Sequence, residues 1–397
     1  MAQLSDRLNR LAPSATLAMS QKSNEMKAQG VDVINMSVGE PDFNTPDHIK
    51  EAGKKAIDDN FSKYSPVPGY MDLREAIVDK LKEENHLDYT TGEVIVGTGG
   101  KQGVCNTILA LVNPGDEVII PAPYWVSYPQ MAKLAGATPV IVRAGFEQEF
   151  KMTAEQLEAA ITPKTKMLIL CSPSNPTGSV YSQEELNALA EVILKHEDIF
   201  VLSDEIYEHI NYVGKAASIA SYPGMKERTI ICNGVSKAYA MTGWRLGWVA
   251  APAWIVKGIN KLQGQYTSGT CDVSQKAAVA AYVASQDCVE QMRVAFERRR
   301  DLIVKLAKDI PGLEVNVPQG AFYLFPKCSS FFGKSDGETV INNSTDFAMY
   351  ILEKAHVATV GGDAFGDPDC FRMSYATSDD NIREAMRRIK EVLAVLK

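Results

Sequence analysis

The residues best suited to chemistry sit in the segment Asn233-Gly-Val-Ser-Lys-Ala-Tyr-Ala-Met-Thr-Gly-Trp-Arg-Leu-Gly247, directly after the apolar run Thr229-Ile-Ile-Cys232. Ligands of open α/β sheets bind outside the carboxyl ends of the strands, so this is where a ligand loop belongs. It holds two cations, Lys237 and Arg245. A lysine there is either a solvated surface residue or a buried amine whose lowered pKa suits it to Schiff-base chemistry. A second segment, Gly97-Thr-Gly-Gly-Lys-Gln-Gly103, is rich in glycine. A Walker A loop would need glycine at Ile95 and Ser or Thr at Gln102, and a dinucleotide fingerprint would want a small residue at Gln102. What remains is a turn at a helix N-terminus whose N–H groups, from Gly100 and Lys101, cradle one phosphate.

These segments need a frame. From about residue 90 to 285, short apolar runs alternate with amphipathic stretches, which predicts a doubly wound, largely parallel α/β sheet. The clearest strands are Glu117–Ile120, Met167–Leu170, Ile199–Leu202, Thr229–Cys232 and Trp248–Ala251. Ser182-Gln-Glu-Glu185 reads as a capping box opening a helix with Leu186, Leu189 and Ile193 on one face. A long helix carrying Val289, Met292, Phe296, Ile303 and Leu306 stops before Pro311-Gly312, and a last one opens at Ser378-Asp-Asp380. Two domains are expected: a large one over 46–285, and a smaller α+β one built from 1–45 and 286–397, with the site between them.

Composition narrows the partners. The net charge of -8 argues against a phosphate-backbone ligand, and no long apolar run suggests export or a membrane span, so a cytoplasmic protein without nucleic-acid or membrane partners is expected. The seven cysteines are scattered and never spaced C-x-x-C, which reads as reduced thiols packed as small hydrophobes, with neither disulfide framework nor metal.

The string Gly234-Val-Ser-Lys-Ala-Tyr-Ala-Met-Thr-Gly-Trp-Arg-Leu-Gly247 resembles the attachment signature of the pyridoxal 5'-phosphate (PLP) dependent class I aminotransferases, of fold type I. The resemblance implies that Lys237 carries PLP as a Schiff base and then moves a proton between Cα and C4', with Arg245 and Ser236 on the phosphate. Relatives often place a hydroxyl residue three positions before the lysine, where this chain has Gly234. By the same likeness, Asp204 in Ser203-Asp-Glu-Ile-Tyr207 keeps the ring nitrogen protonated, Tyr207 meets the phenolic oxygen, and Asn175 in Ser174-Asn-Pro-Thr-Gly178 contacts that oxygen and the substrate carboxylate. Trp125 would stack on the ring, and Tyr64 would reach the phosphate of a second copy, which implies a homodimer with shared sites.

Substrates follow in the same way. An amino acid or 2-oxo acid presents a carboxylate whose best partner is a bidentate arginine, here Arg372 in Phe371-Arg-Met-Ser-Tyr375, assisted by the Gly39 backbone. The strings P-S-A-T, V-G-E-P-D-F, G-G-K-Q, S-D-E-I-Y-E-H and M-S-Y-A-T-S resemble a bacterial aspartate aminotransferase subgroup in which the lysine of G-G-K-Q, here Lys101, faces the distal carboxylate. Subgroup members that also use prephenate often carry a basic residue where this chain has Ala12. Aspartate is therefore the expected donor, with prephenate, aromatic amino acids or alanine as the alternative. A lyase or synthase on the same scaffold, or a transcriptional regulator with an added DNA-binding segment, are the rival classes.

Overall fold

The computed structural model describes residues 4–397. Its strands are, in chain order, β1 (Ile34–Asn35), β2 (Val94–Gly97), β3 (Glu117–Ala122), β4 (Thr138–Arg143), β5 (Thr165–Cys171), β6 (Phe200–Asp204), β7 (Thr229–Gly234), β8 (Gly247–Ala250), β9 (Tyr323–Leu324), β10 (Val357–Ala358), β11 (Val360–Gly361) and β12 (Phe371–Ser374). Seven of them form one sheet in the order β2-β8-β7-β6-β5-β3-β4. Neighbours from β4 to β7 run parallel, and β8 alone opposes both of its partners. The middle strands are buried on both faces, which is why they read as continuous apolar runs.

All five expected strands form, with shifted ends. The run expected to close at Leu202 continues through Asp204, because its backbone still pairs with β5 and β7 there. The capping box is present: Ser182 Oγ accepts from the Glu185 N–H at 3.2 Å, and the Glu185 carboxylate accepts from the Ser182 N–H at 2.8 Å. The helix it opens, Gln183–Leu194, buries Leu186, Leu189 and Ile193 against the sheet.

A second core lies beside this sheet. It joins Ile34 and Met36 to Phe296, Tyr323, Phe371 and Ile382, drawing on the helices Asp287–Lys308 and Asp379–Leu393. β1 pairs in parallel with β10, and β9, β11 and β12 make a small antiparallel sheet. The N-terminal segment thus leaves this core at Met36 and crosses toward the ends of β6 and β7. Asp42 anchors the crossing through both carboxylate oxygens to Arg299, at 2.7 and 3.0 Å.

One expectation about the cysteines needs correction. All seven are free, but Cys271 is exposed, because it stands at the N-cap of the helix Asp272–Val283, on the wall of an open cavity with Phe43 and Trp244. Among the described residues no helix is long and apolar enough to cross a membrane.

Candidate active site

The carboxyl ends of β5, β6 and β7 point to one place, and the sequence-predicted residues other than Tyr64 gather around it. Lys237 is part-buried and its Nζ donates to the Gly39 carbonyl at 2.6 Å. Burial, with Arg245 and Arg372 adding their charge, pushes its amine down to about 8, against the pull of Glu40 and Asp204. Asp204 is buried, and its oxygens accept from the Tyr128 hydroxyl at 2.7 Å and the Ile206 N–H at 3.3 Å. Burial raises its pKa, while these two donors and Lys237 oppose the rise. Tyr207 hydrogen-bonds Tyr323, hydroxyl to hydroxyl, at 2.7 Å.

On the opposite wall Arg372 is 2% exposed. Its guanidinium donates to Asn175 Oδ1 at 2.8 Å and to the Ser37 carbonyl at 2.5 Å, and lies between the rings of Tyr323 and Phe365 at 4.7 and 4.8 Å. Its Nε is buried without any partner among the described residues. The Gly39 carbonyl accepts from Lys237, and the nearby Ser37 carbonyl accepts from the arginine. The reason is geometric, since a Cβ on Gly39 would lie 2.2 Å from the Tyr323 hydroxyl, so the strap passes directly over that ring with its carbonyl turned to Lys237.

The other end of the site is built for an anion. β2 ends at Gly97, and the helix Gly100–Leu111 begins after Gly99, whose φ of +79° favours glycine. Its first N–H groups have no intrahelical acceptors and bring the positive end of the helix dipole. Arg245 lies against them: a Cβ on Gly99 would fall 2.6 Å from its Nη2. The guanidinium is fixed by Nη1 donating to the Thr242 carbonyl at 2.8 Å. Ser236 is buried in the same loop. Lys101 projects over the face of Trp125 at 5.0 Å, and Trp125 meets Tyr128 edge-on at 5.3 Å, so an aromatic wall runs from Lys101 to Asp204.

The absence of a hydroxyl at position 234 also has a cause. Gly234 pairs with Gly247 across β7 and β8, and a Cβ there would lie 2.6 Å from Gly247 Cα and 2.8 Å from the Leu246 carbonyl. Both obstacles are backbone. Gly234→Ser is therefore expected to gain no phosphate contact and to cost about 1–3 kcal/mol by overpacking, read as a lowered unfolding midpoint of the cofactor-free protein. Wild-type stability in that variant would show that the strands can part.

This donor set fits PLP. A helix N-terminus with Arg245 and Ser236 suits a phosphate, a buried carboxylate suits a basic ring nitrogen, and a low-pKa amine stands between them for the aldehyde. Tyr64 is fully exposed and outside the site of its own chain. Sequence reasoning missed Tyr128 and Tyr323, the hydroxyls that hold Asp204 and Tyr207. Tyr128 carried a signal, lying three residues after Trp125, one helical turn away; Tyr323 sits in the apolar run Ala321–Phe325 and reads as core.

Comparison with known proteins agrees with this arrangement. Residues 31–389 match the family described as aminotransferase class I and II. The chain is 49% identical over 399 residues to an aspartate/prephenate aminotransferase of Cereibacter sphaeroides, covering 100% of both chains. It is also 49% identical to a bifunctional aspartate aminotransferase and glutamate/aspartate-prephenate aminotransferase of Petunia hybrida, covering 99% of this chain and 83% of that protein. Among solved structures, the aspartate aminotransferase of Rhizobium meliloti superposes with a TM-score of 0.97 at 42% identity, covering 100% of both chains. That of Thermus thermophilus, solved with maleate, gives 0.93 at 40% identity, covering 99% of this chain and 100% of the other.

Proposed function

The chain belongs to the class I and II aminotransferases, which makes it a PLP-dependent transaminase, and we propose that it moves the amino group of L-aspartate to 2-oxoglutarate, releasing oxaloacetate and L-glutamate in a ping-pong cycle. The observation that carries the substrate is the set of site cations. Lys101, Arg245 and Arg372 have no carboxylate partner among the described residues; their neighbours are carbonyls, an amide and aromatic faces. Unpaired cations in a half-buried cleft are costly, so they await anions. PLP brings a phosphate for Arg245, any amino acid brings an α-carboxylate for Arg372, and a dicarboxylic one brings a second carboxylate for Lys101. Maleate, the ligand of the Thermus thermophilus relative, is a four-carbon dicarboxylate of this kind.

Each residue then has a task. Gly100, the Lys101 N–H, Ser236 and Arg245 would hold the phosphate, Trp125 would cover the ring, and Asp204 would keep the ring nitrogen protonated. Tyr207 and Asn175 address the phenolic oxygen. Bound PLP supplies the conjugated ring that takes up the electron pair left at Cα. Lys237 would carry the cofactor as a Schiff base, and its amine, once free, would take the proton from Cα and return it at C4'. Asn175 and the strap backbone near Gly39 support Arg372 on the α-carboxylate.

Prephenate is the second reading, favoured by relatives named for both substrates. It is also a dicarboxylate and would engage the same cations, whereas alanine and aromatic amino acids leave Lys101 idle. Replacing Lys101 by methionine is expected to lower kcat/KM for aspartate about 10–100-fold while changing alanine little, as for loss of one partly exposed charged contact. Equal losses for both would count against a dicarboxylic donor. The half-reaction of the PLP enzyme with single amino acids, read from its visible spectrum, ranks the donors directly.

The β1–β10 pairing and the core joining Met36 to Phe371 support residues 1–45 and 286–397 as one small domain beside a large domain at 46–285. The full exposure of Tyr64 supports a homodimer in which that tyrosine serves the other copy's phosphate site.

A further inference from the structure

Behind the cofactor contacts lies a buried charged cluster that the chemistry above does not use. Lys80, on the helix Met71–Asn85, and Glu208, in the turn after β6, are 5% and 8% exposed and form an ion pair. Lys80 also donates to Asn85 Oδ1 at 2.7 Å. The Glu208 carboxylate accepts from the side-chain amides of Asn85 at 2.9 Å and Asn233 at 2.6 Å. His209 adds its Nδ1 at 3.6 Å from Glu208, and its Nε2 lies 2.9 Å from the Glu84 carboxylate. Burial works against the Glu208 charge, yet Lys80 and His209 hold its carboxyl at about 2.

An ion pair this deep adds little stability over an apolar pair of the same shape, so its position is the more telling property. Glu208 follows Tyr207 in a turn closed by the Glu208 N–H on the Glu205 carbonyl at 3.0 Å and the Ile210 N–H on the Tyr207 carbonyl at 2.8 Å. Asn233 is the penultimate residue of β7, and its own Oδ1 accepts the Gly234 N–H at 2.7 Å, where the chain turns toward Lys237. One carboxylate therefore grips both segments that face the cofactor.

We propose that Glu208 is a positioning residue: with Lys80 as its counter-ion, it ties the turn that follows Asp204 and carries Tyr207 to the end of β7 that leads into Lys237, and so sets the spacing of the three cofactor contacts. This rests on reading those three residues as PLP contacts. Orienting groups of this kind matter because the groups they hold must keep productive geometry within a fraction of an ångström.

Three variants of the full chain test it. Asn233→Leu cuts the tie and leaves the ion pair. K80M/E208M replaces the pair by apolar side chains of similar length. K80M/E208Q is neutral but keeps an acceptor for Asn233. The first two are expected to release PLP about tenfold more readily, the equivalent of one charged hydrogen bond, and to shift the pH midpoint of the cofactor's visible band. K80M/E208Q is expected to restore both properties, which a merely structural pair would not require. Wild-type PLP release and band midpoint in Asn233→Leu, or in K80M/E208M should the former fail to fold, would overturn the proposal. A wild-type enzyme whose visible band borohydride does not fix onto Lys237 would instead overturn the cofactor reading beneath it.

Discussion

Replacing Lys237 by alanine is expected to lower turnover by at least about 10⁴-fold, the upper range for a proton-transfer group, while PLP still binds. The phosphate contacts proposed for Arg245, Ser236 and the helix N-terminus do not involve the lysine, so cofactor affinity should fall much less than rate. Borohydride should no longer fix PLP to the chain. Near-normal turnover in this variant would sink the assignment of the base. The amine also sets a pH signature. Because burial brings it from 10.5 to about 8, PLP capture by the cofactor-free protein should rise with pH around a midpoint near 8, two units or so below a solvated lysine. The linked stability has the same sign. Below about 8 folded and unfolded chains both bind the proton, and the buried charge is carried in full; between about 8 and 10.5 only the unfolded chain binds it, so this group's contribution to stability rises with pH. A capture midpoint near 10.5 would mean that the amine is solvated.

The depressed amine was not itself legible in the sequence, though its place was. Apolar runs bounded by turn residues located the strands, and strand ends located Lys237, Asp204 and Asn175, because backbone pairing and burial are properties of local pattern. The glycine-rich turn was legible for a similar reason: only glycine tolerates the backbone at Gly99 and the close approach of Arg245. What pattern could not supply were contacts between distant segments. Tyr323 lies 116 positions from the Tyr207 hydroxyl it meets, and nothing local separates it from the core residues Phe322 and Leu324 on either side. The carbonyls of the Ser37–Gly39 strap meet Arg372 and Lys237, contacts no local pattern announces, because the path of the strap is set by packing over Tyr323. The Lys80–Glu208 pairing was not legible for the same cause, since its partners lie far apart in the chain and meet only where the fold buries both.

Arg372→Leu is expected to lower kcat/KM for every amino acid about 10²–10³-fold, as truncating one partner of a buried charged contact costs about 2–5 kcal/mol and each 1.4 kcal/mol is tenfold. Aspartate and alanine should fall together, unlike the selective loss for Lys101. Lysine should not rescue, since the side chain is stacked between Tyr323 and Phe365 and addresses two acceptors in fork geometry. Stability decides whether the loss is functional. Removing a buried cation with an unpartnered Nε relieves a desolvation cost of about 1–4 kcal/mol, while orphaning Asn175 Oδ1 and the Ser37 carbonyl costs about 1–3 kcal/mol each. The second outweighs the first only modestly, so the unfolding midpoint of the cofactor-free variant should fall by no more than about 5 °C. A large drop would assign the arginine to the fold. A small change beside a thousandfold loss for both substrates would mean that this cation is held buried and underpaired for the carboxylate it binds.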